Sequence, residues 1–321
     1  MRLLQIQADG QVTLTEHEVG DSPPYAILSH TWGLDREEVT FRDLEERTGQ
    51  HKSGYRKLTF CGKQAANDGL QYFWVDTCCI DKSSSAELSE AIICMFQWYE
   101  KAAKCYAYLS DVSVSGSTGA ALPSKRTWER HFRNSRWFTR GWTLQELLAP
   151  VSVDFFSVEG QRLGSRTSLL QEIHDVTGIP GQALQGIPLH RFSIEQRLLW
   201  MRGRKTKRRE DMAYSLLGIF GVFIPPMYGE GEDHAMHRLE GAIDGAAKNR
   251  GQTYLSALTA EVARESKADN NTEASWMGVM ESRKKYGSCL NCGDDDHWEA
   301  GCEGFCGRCE TPILISWKCE S

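Results

Sequence analysis

Apolar and polar residues follow two kinds of pattern along the first half of the chain. Short apolar runs, each bounded by polar or turn-forming residues, predict buried strands at Tyr25–His30, 70–75, 105–109 and 151–156. Apolar residues at three- and four-residue spacing predict helices at Tyr55–Asn67, after Ser84 and at 142–148. Strands that alternate with helices indicate an α/β fold, with a mostly parallel sheet flanked by helices on both faces.

The ends of two helices also carry signals. Gly69 follows the helix predicted at Tyr55–Asn67 and is expected at its C-cap. Ser84 and Glu87 have the spacing of a capping box at the start of the next helix.

Beyond Gly160 the pattern becomes mostly helical, with helices predicted at 191–202, 210–220 and 233–243. Residues 248–286 are polar and lack a clear period, which is typical of a flexible linker. We therefore predict five segments: an N-terminal segment (1–20), an α/β domain (21–180), a helical extension (181–247), the linker (248–286) and a cysteine-rich tail (287–321).

Composition adds little to this picture. The chain has 321 residues and a formal net charge of -6, which gives no reason to expect nonspecific nucleic-acid binding by the whole surface. Its N-terminus lacks the apolar stretch of a secretory signal, and no stretch is apolar enough to span a membrane. We expect a cytoplasmic protein with no membrane partner. The basic run at 202–209 leaves a nuclear address or an anion site open, although such runs are usually solvated loops.

Polar residues follow the first two predicted strands directly. Ser29-His30-Thr31-Trp32-Gly33 ends the first strand, and Asp76-Thr77-Cys78-Cys79 follows the second. Ligands of open α/β sheets bind at the carboxyl ends of the strands. Both motifs therefore fall where this architecture places a binding site.

Three blocks carry a family resemblance. They are the Ser29–Gly33 motif, Trp74-Val-Asp-Thr-Cys-Cys-Ile80, and Gly141-Trp-Thr-Leu-Gln-Glu-Leu-Leu-Ala-Pro150. In this order they resemble the fungal heterokaryon-incompatibility (HET) domain. The resemblance implies a role in non-self recognition and in the cell death that follows fusion of incompatible fungal individuals.

The third block has a further resemblance. Trp142-Thr-Leu-Gln-Glu146-Leu147 is similar to a stretch of TIR domains in which the glutamate is catalytic in NAD-cleaving members. This resemblance implies a TIR-like fold, Glu146 as the catalytic carboxylate and NAD+ as a substrate. A carboxylate near the ribose stabilises the positive charge that develops as nicotinamide leaves.

Other residues are candidates for holding that substrate. Trp32 or Trp142 would stack on a base and Arg140 would hold a phosphate. Asp76 or Ser29 would position the ribose, and His30 belongs to the same predicted site. The alternative is structural: Glu146 near a helix start interacts favourably with the helix dipole, Trp142 lies in the core, and His30 hydrogen-bonds the backbone at a strand end.

The last cysteines predict a metal site. Cys289, Cys292, His297 and Cys302 have C-x2-C-x4-H-x4-C spacing, which resembles the CCHC zinc knuckle and implies one structural Zn2+. Cys306, Cys309 and Cys319 repeat the offsets without the histidine, so we expect weak or no zinc binding there. Acidic residues in the first knuckle disfavour nucleic acid, which stays a minority alternative.

The leading hypothesis is a cell-death effector of fungal incompatibility that acts by NAD+ glycohydrolysis, with self-association or other incompatibility proteins as its partners. The first alternative is a non-catalytic TIR-like module that acts by assembly. The second is an adaptor that binds nucleic acid through the knuckle.

Overall fold

The structure, a computed structural model, describes residues 1–7, 9–18, 21–114 and 125–249. The chain divides into two compact units. Among the described residues, the first comprises the chain up to residue 186 together with 205–207, and the second comprises residues 187–204 and 208–249.

The first unit is built on a seven-stranded sheet. Its strands are β1 (Arg2–Ile6), β2 (Val12–Glu16), β3 (Tyr25–His30), β4 (Tyr72–Trp74), β5 (Lys104–Tyr108), β6 (Val153–Phe156) and β7 (Arg162–Ser165). They lie in the order β2-β1-β4-β3-β5-β6-β7. The four central strands β4, β3, β5 and β6 are parallel, and β1, β2 and β7 pair antiparallel at the two edges.

The helices of the first unit connect these strands. They are α1 (Phe41–Glu45), α2 (Tyr55–Asn67), α3 (Asp76–Cys79), α4 (Ser85–Lys101), α5 (Lys125–Arg133), α6 (Thr143–Leu148), α7 (Leu170–Thr177) and α8 (Gly181–Leu184). Single 3-10 turns lie at Asp35–Glu37 and Arg136–Thr139. The mixed α/β architecture with a mostly parallel sheet confirms the predicted fold class at that level.

The core lies on the central strands. All six residues of β3 are buried, as are four of the five residues of β5. Strands covered on both faces need apolar residues at consecutive positions, which explains why these runs do not alternate with polar residues. Aromatic rings of Phe132, Trp137, Phe138 and Phe155 pack edge to face beside β6.

The order of the parallel strands places a binding crevice. In chain order the four strands are arranged 2-1-3-4, so the direction of the connections reverses between β3 and β5. Doubly wound sheets bind ligands outside the carboxyl ends of the strands at this point. The Ser29–Gly33 motif lies at the end of β3 and therefore beside the crevice.

Several elements differ from the sequence predictions. In the predicted N-terminal segment, Arg2–Ile6 and Val12–Glu16 form the antiparallel pair β1–β2 and join the sheet, and β7 was not predicted either. The capping box of α4 is only half formed: the Ser84 hydroxyl accepts the Glu87 N–H, but the Glu87 carboxylate binds Arg2 and the Asp81 N–H instead. Because these donors compete for the Glu87 carboxylate, the predicted capping box does not form completely.

The described part of the second unit is helical. Its first helices are shorter than predicted, whereas the last one is longer. Its elements are a 3-10 turn at Leu189–Arg191, α9 (Ile194–Leu199), α10 (Asp211–Tyr214), α11 (Leu217–Phe220) and α12 (Glu232–Asn249). The single helix predicted at 210–220 is wrong, since α10 and α11 are separate. α11 ends at Gly221, whose left-handed φ of 64° suits glycine.

No helix within the described ranges has both the length and the apolar character needed to cross a bilayer. The predicted linker and cysteine-rich tail lie outside the described residues, so the zinc-knuckle prediction is not tested by the fold.

Candidate functional site

Two hydrogen-bonded clusters lie at the end of β3, one around Ser29 and the other around His30. Successive residues of a strand point to opposite faces of a sheet. Ser29 contacts Glu146 and Trp137, whereas His30 contacts Asp76. Ser29 thus connects the first block to the third, and His30 connects the first block to the second.

The first cluster centres on the carboxylate of Glu146. The Ser29 hydroxyl donates to Glu146 Oε2 and accepts the indole N–H of Trp137 at 2.8 Å. Glu146 is 9% exposed. Burial raises its pKa to about 8 and nearby Asp76 adds to the rise, although Ser29, Arg140 and Tyr99 act in the opposite direction. The Glu146 side chain is therefore mostly protonated at neutral pH.

The chain before Glu146 is fixed by local hydrogen bonds. Ser135 caps the 3-10 turn by accepting the Trp137 N–H, and its hydroxyl donates to Asp111 at 2.7 Å. The Thr143 hydroxyl donates to the Trp137 carbonyl at 2.6 Å, which ties the start of α6 to the same turn. These contacts set Trp137 and Glu146 on the same side of Ser29.

The second cluster centres on Asp76, at the start of α3. His30 Nε2 lies 3.0 Å from Asp76 Oδ1, and the Trp32 indole N–H donates to Oδ2 at 2.8 Å. Burial acts to raise the pKa of Asp76, but the charge of Lys82 and the contacts with His30 and Trp32 lower it overall. At neutral pH, Asp76 is therefore ionised, whereas Glu146 is mostly protonated.

His30 is held in its neutral form. Burial lowers its pKa, and the charge of Lys57 lowers it further, although Asp76 acts in the opposite direction. A neutral imidazole that donates from Nε2 to Asp76 leaves Nδ1 as an acceptor. That buried Nδ1 has no hydrogen-bond partner among the residues that the structure describes.

A buried ion pair holds the loop after β3. Glu38 and Lys57 form a salt bridge in which both side chains are less than 10% exposed. Glu38 also accepts the Gly33 N–H at 2.6 Å, and the Lys57 ammonium donates to the Thr31 carbonyl at 3.1 Å. The pair therefore fixes the backbone on both sides of Trp32.

An open cavity of about 390 Å³ lies beside Trp32. Its lining comes from the loop after β3, the turn before α6 and the segment 205–207 of the same unit, namely Thr31, Trp32, Gly33, Asp35, Arg136, Thr139, Arg140, Lys205, Thr206 and Lys207. Three cationic groups surround the Trp32 ring: Lys82 Nζ at 3.8 Å, Lys207 Nζ at 5.8 Å and Arg140 Cζ at 5.9 Å from its centroid. Such an arrangement suits an anionic ligand with an aromatic part.

The structure brings most of the predicted site residues together, but not around one cavity. Trp32 and Arg140 line the cavity, while Ser29, His30 and Asp76 lie in the clusters behind the motif. Glu146 and Trp142 are not among the lining residues, and Trp142 is half-buried at the start of α6. Their catalytic and binding roles stay predictions.

The sequence analysis missed several residues of this region: Glu38, Lys57, Lys82, Trp137, Lys205 and Lys207. Lys205 and Lys207 belong to the basic run at 202–209, which was interpreted by default as a solvated loop, with an anion site as one alternative. Density of positive charge was the available signal. Nothing in the sequence indicated that this run lies beside Arg140.

No group of three or more histidine, cysteine or acidic side chains in the described ranges has the arrangement of a metal site. Cys289, Cys292, His297 and Cys302 lie outside those ranges, as do Cys306, Cys309 and Cys319. The prediction of one structural Zn2+ stays a prediction.

Comparison with known proteins supports the family resemblance. Residues 25–124 match the family described as Heterokaryon incompatibility protein (HET). The chain is also 55% identical over 244 residues to the Vegetative incompatibility protein HET-E-1 of Podospora anserina. That alignment covers 76% of this chain and 18% of the relative, so the chain spans less than a fifth of its length. No solved structure matches the chain.

These matches agree with the resemblance of residues 25–124 to the HET family. They do not extend to the TIR-like fold, the zinc knuckle or the cleavage of NAD+.

Proposed function

We propose that this chain acts as a cell-death effector of fungal heterokaryon incompatibility and that its α/β unit works by cleaving NAD+. The HET match over residues 25–124 and the identity to HET-E-1 support the incompatibility role. The catalytic part rests on one observation. The Glu146 carboxyl group is hydrogen-bonded to Ser29 at the crevice of the sheet, in the same unit as a cationic cavity that contains Trp32 and Arg140.

The reaction converts NAD+ and water to nicotinamide, ADP-ribose and a proton. The bond between nicotinamide and the ribose carbon breaks, and its electron pair leaves with nicotinamide, which departs as a neutral ring. Positive charge then develops on the ribose until water adds and releases its proton. An ionised carboxylate beside the ribose stabilises that charge, as in glycoside hydrolysis.

Each residue of the site has a separate role in the proposed reaction. Arg140 binds a phosphate of the substrate and the Trp32 ring stacks on a flat part of it. Glu146 faces the ribose, with Ser29 holding its carboxylate in position. Asp76, which is ionised and bound to His30, orients Trp32 through the indole N–H. The TIR-like fold is part of this proposal, supported by the Trp142–Leu147 resemblance.

The burial of Glu146 sets a condition on this mechanism. Its side chain is 9% exposed and does not line the cavity, so substrate binding must open a path to the carboxylate. Its pKa of about 8 also means that the carboxyl group must lose a proton before it stabilises a cation. We therefore expect the rate of cleavage to rise as pH increases toward 8.

The test is to incubate the purified full chain with NAD+ and measure nicotinamide release by chromatography. Glu146→Gln keeps the shape of the side chain and removes its charge, so release should fall by about 100-fold or more. Glu90→Gln, an exposed change on α4, is the matched control and should release nicotinamide at the rate of the unmodified chain. Absence of release from self-associated protein, or equal release by Glu146→Gln, would remove the enzymatic proposal.

A second candidate is a non-catalytic module that signals by assembly. The enclosed position of Glu146 favours it, because a carboxyl group held by Ser29 and packed near Tyr99 also suits a purely structural role. If fungal cell killing survives Glu146→Gln in a correctly folded chain, the assembly function replaces the catalytic one.

A further inference from the structure

The cavity beside Trp32 concentrates positive charge in a chain that is acidic overall. Its lining includes Arg136, Arg140, Lys205 and Lys207 against one acidic residue, Asp35. The whole chain has a formal net charge of -6. A cluster of this sign on such a chain attracts anions locally, and its concave shape increases the field.

Backbone pairing fixes two of these cations in place. Arg140 and Lys205 form an isolated parallel bridge. The Lys205 N–H donates to the Thr139 carbonyl at 2.6 Å, and the Gly141 N–H donates to the Lys205 carbonyl at 2.9 Å. The segment 205–207 is thus bound to the turn before α6 in the same unit, and it presents its side chains to the cavity in a defined arrangement.

The cations differ in how far they are already neutralised. Lys207 forms an exposed ion pair with Asp35 at 2.6 Å, and Arg136 lies 3.5 Å from Asp111. Within the described part of the chain, the Lys205 ammonium has no carboxylate partner at salt-bridge distance. Exposed pairs of this kind contribute little energy, so an incoming anion competes with them easily.

We propose that this cavity binds the pyrophosphate group of a small nucleotide-like ligand, with Lys205, Lys207 and Arg140 as the phosphate-binding residues and Trp32 as the stacking surface. Cations on two separate segments suit two linked phosphates, because guanidinium and ammonium groups then contact oxygens from opposite sides. A cavity of about 390 Å³ is in the range of small-molecule sites. A long nucleic acid would need an extended basic stripe, which this concave cluster does not provide.

Pyrophosphate-containing nucleotides are the substrate class that the proposed function implies, and the inference rests on the proposed function only in naming them as substrates. Pyrophosphate binding does not require Glu146, which does not line the cavity. At neutral pH, where Glu146 is mostly protonated, the Glu146→Gln chain should therefore bind the same ligands as the unmodified chain, so binding and cleavage fail or succeed separately.

The experiment is isothermal titration of the full chain with inorganic pyrophosphate, ADP-ribose and AMP at two salt concentrations. We expect binding of pyrophosphate and tighter binding of ADP-ribose, with both weakening as salt increases. Lys205→Gln/Lys207→Gln should weaken both by at least about tenfold, since each substitution removes a charged hydrogen-bond donor. Both side chains are exposed, so the fold should be retained.

The matched control is Lys63→Gln/Lys101→Gln, which removes the same charge from exposed positions on α2 and α4 of the same unit. It should bind both ligands as the unmodified chain does. Equal weakening in the two double variants would overturn the inference, because it would show a general charge effect. So would the absence of pyrophosphate and ADP-ribose binding.

Discussion

The buried carboxyl group of Glu146 should make the stability of the protein depend on pH in a recognisable way. Its pKa is about 8 in the folded chain against an ordinary value of 4.5, chiefly because burial disfavours the charged form. Between these values the unfolded chain has lost this proton and the folded chain retains it. The free energy of unfolding therefore falls as pH rises from about 5 to 8, and this contribution levels off above the folded pKa.

The magnitude follows from proton linkage. One proton retained in the folded state changes the free energy of unfolding by about 1.4 kcal/mol per pH unit, so about 3 kcal/mol separates pH 5.5 from pH 7.5. Glu146→Gln cannot ionise and loses this dependence. Relative to the unmodified chain, the variant should gain stability by that amount across the interval, whatever constant difference its altered hydrogen bonds introduce.

The assay is urea unfolding at pH 5.5, 6.5, 7.5 and 8.5, followed by the fluorescence of the ten tryptophans, which include the buried Trp137. Subtracting the curve of the variant from that of the unmodified chain cancels the titration of every other group. Glu90→Gln, at an exposed position, should give curves parallel to those of the unmodified chain. Parallel curves for Glu146→Gln as well would refute the assignment of a raised pKa to this residue.

Three further predictions concern other parts of the chain. Lys57→Met should lower the free energy of unfolding by about 3–5 kcal/mol, because it leaves the Glu38 charge buried without its partner, and Lys57→Met/Glu38→Gln should recover part of that loss in the same urea assay. Ser29→Ala should cost about 2–5 kcal/mol and raise the pKa of Glu146, since both the Glu146 carboxylate and the Trp137 N–H lose a partner; a thermal midpoint equal to that of the unmodified chain would contradict this. Metal analysis of the full chain should find about one zinc, and Cys292→Ser should release it; absence of zinc from protein purified without chelators would exclude the knuckle.

The elements that the sequence predicted correctly carry their signal within a short stretch. β3 matches its predicted range. Both of its faces are buried, so consecutive positions favour apolar residues and the run is visible in the sequence. α2 also matches, and it ends where predicted because Gly69 adopts the left-handed φ of 75° that closes a helix. In these cases no distant partner decides the conformation.

The elements that were missed depend on distant partners. β1, β2 and β7 are short antiparallel strands at or next to the edges of the sheet and include polar residues, and their pairing with the sheet is not encoded in their own pattern. Glu87 had the correct spacing for a capping box, but Arg2, far away in sequence, binds its carboxylate. Local patterns describe what a segment favours and cannot include such competitors.

The candidate site shows the same division. The polar motifs at the ends of β3 and β4 were predicted from the α/β pattern, and the structure brings His30 and Asp76 into contact. The Ser29–Glu146 pair joins residues 117 positions apart, and the segment 205–207 reaches the cavity by backbone pairing. Both depend on the path of the whole chain, so the sequence offered residue types without their arrangement.

The cationic cavity and the buried carboxyl group are coupled through charge. Arg140 lowers the pKa of Glu146 and also lines the cavity, so an anion that neutralises Arg140 removes part of that effect and favours the protonated carboxyl group. By reciprocity, ionisation of Glu146 weakens the binding of a purely anionic ligand. A dinucleotide with a cationic ring brings a positive charge toward Glu146 and opposes that shift, whereas its product without the ring does not. With the proposed substrate bound, the charge of its ring would therefore favour the ionised carboxylate, whereas the product without the ring would favour the neutral acid.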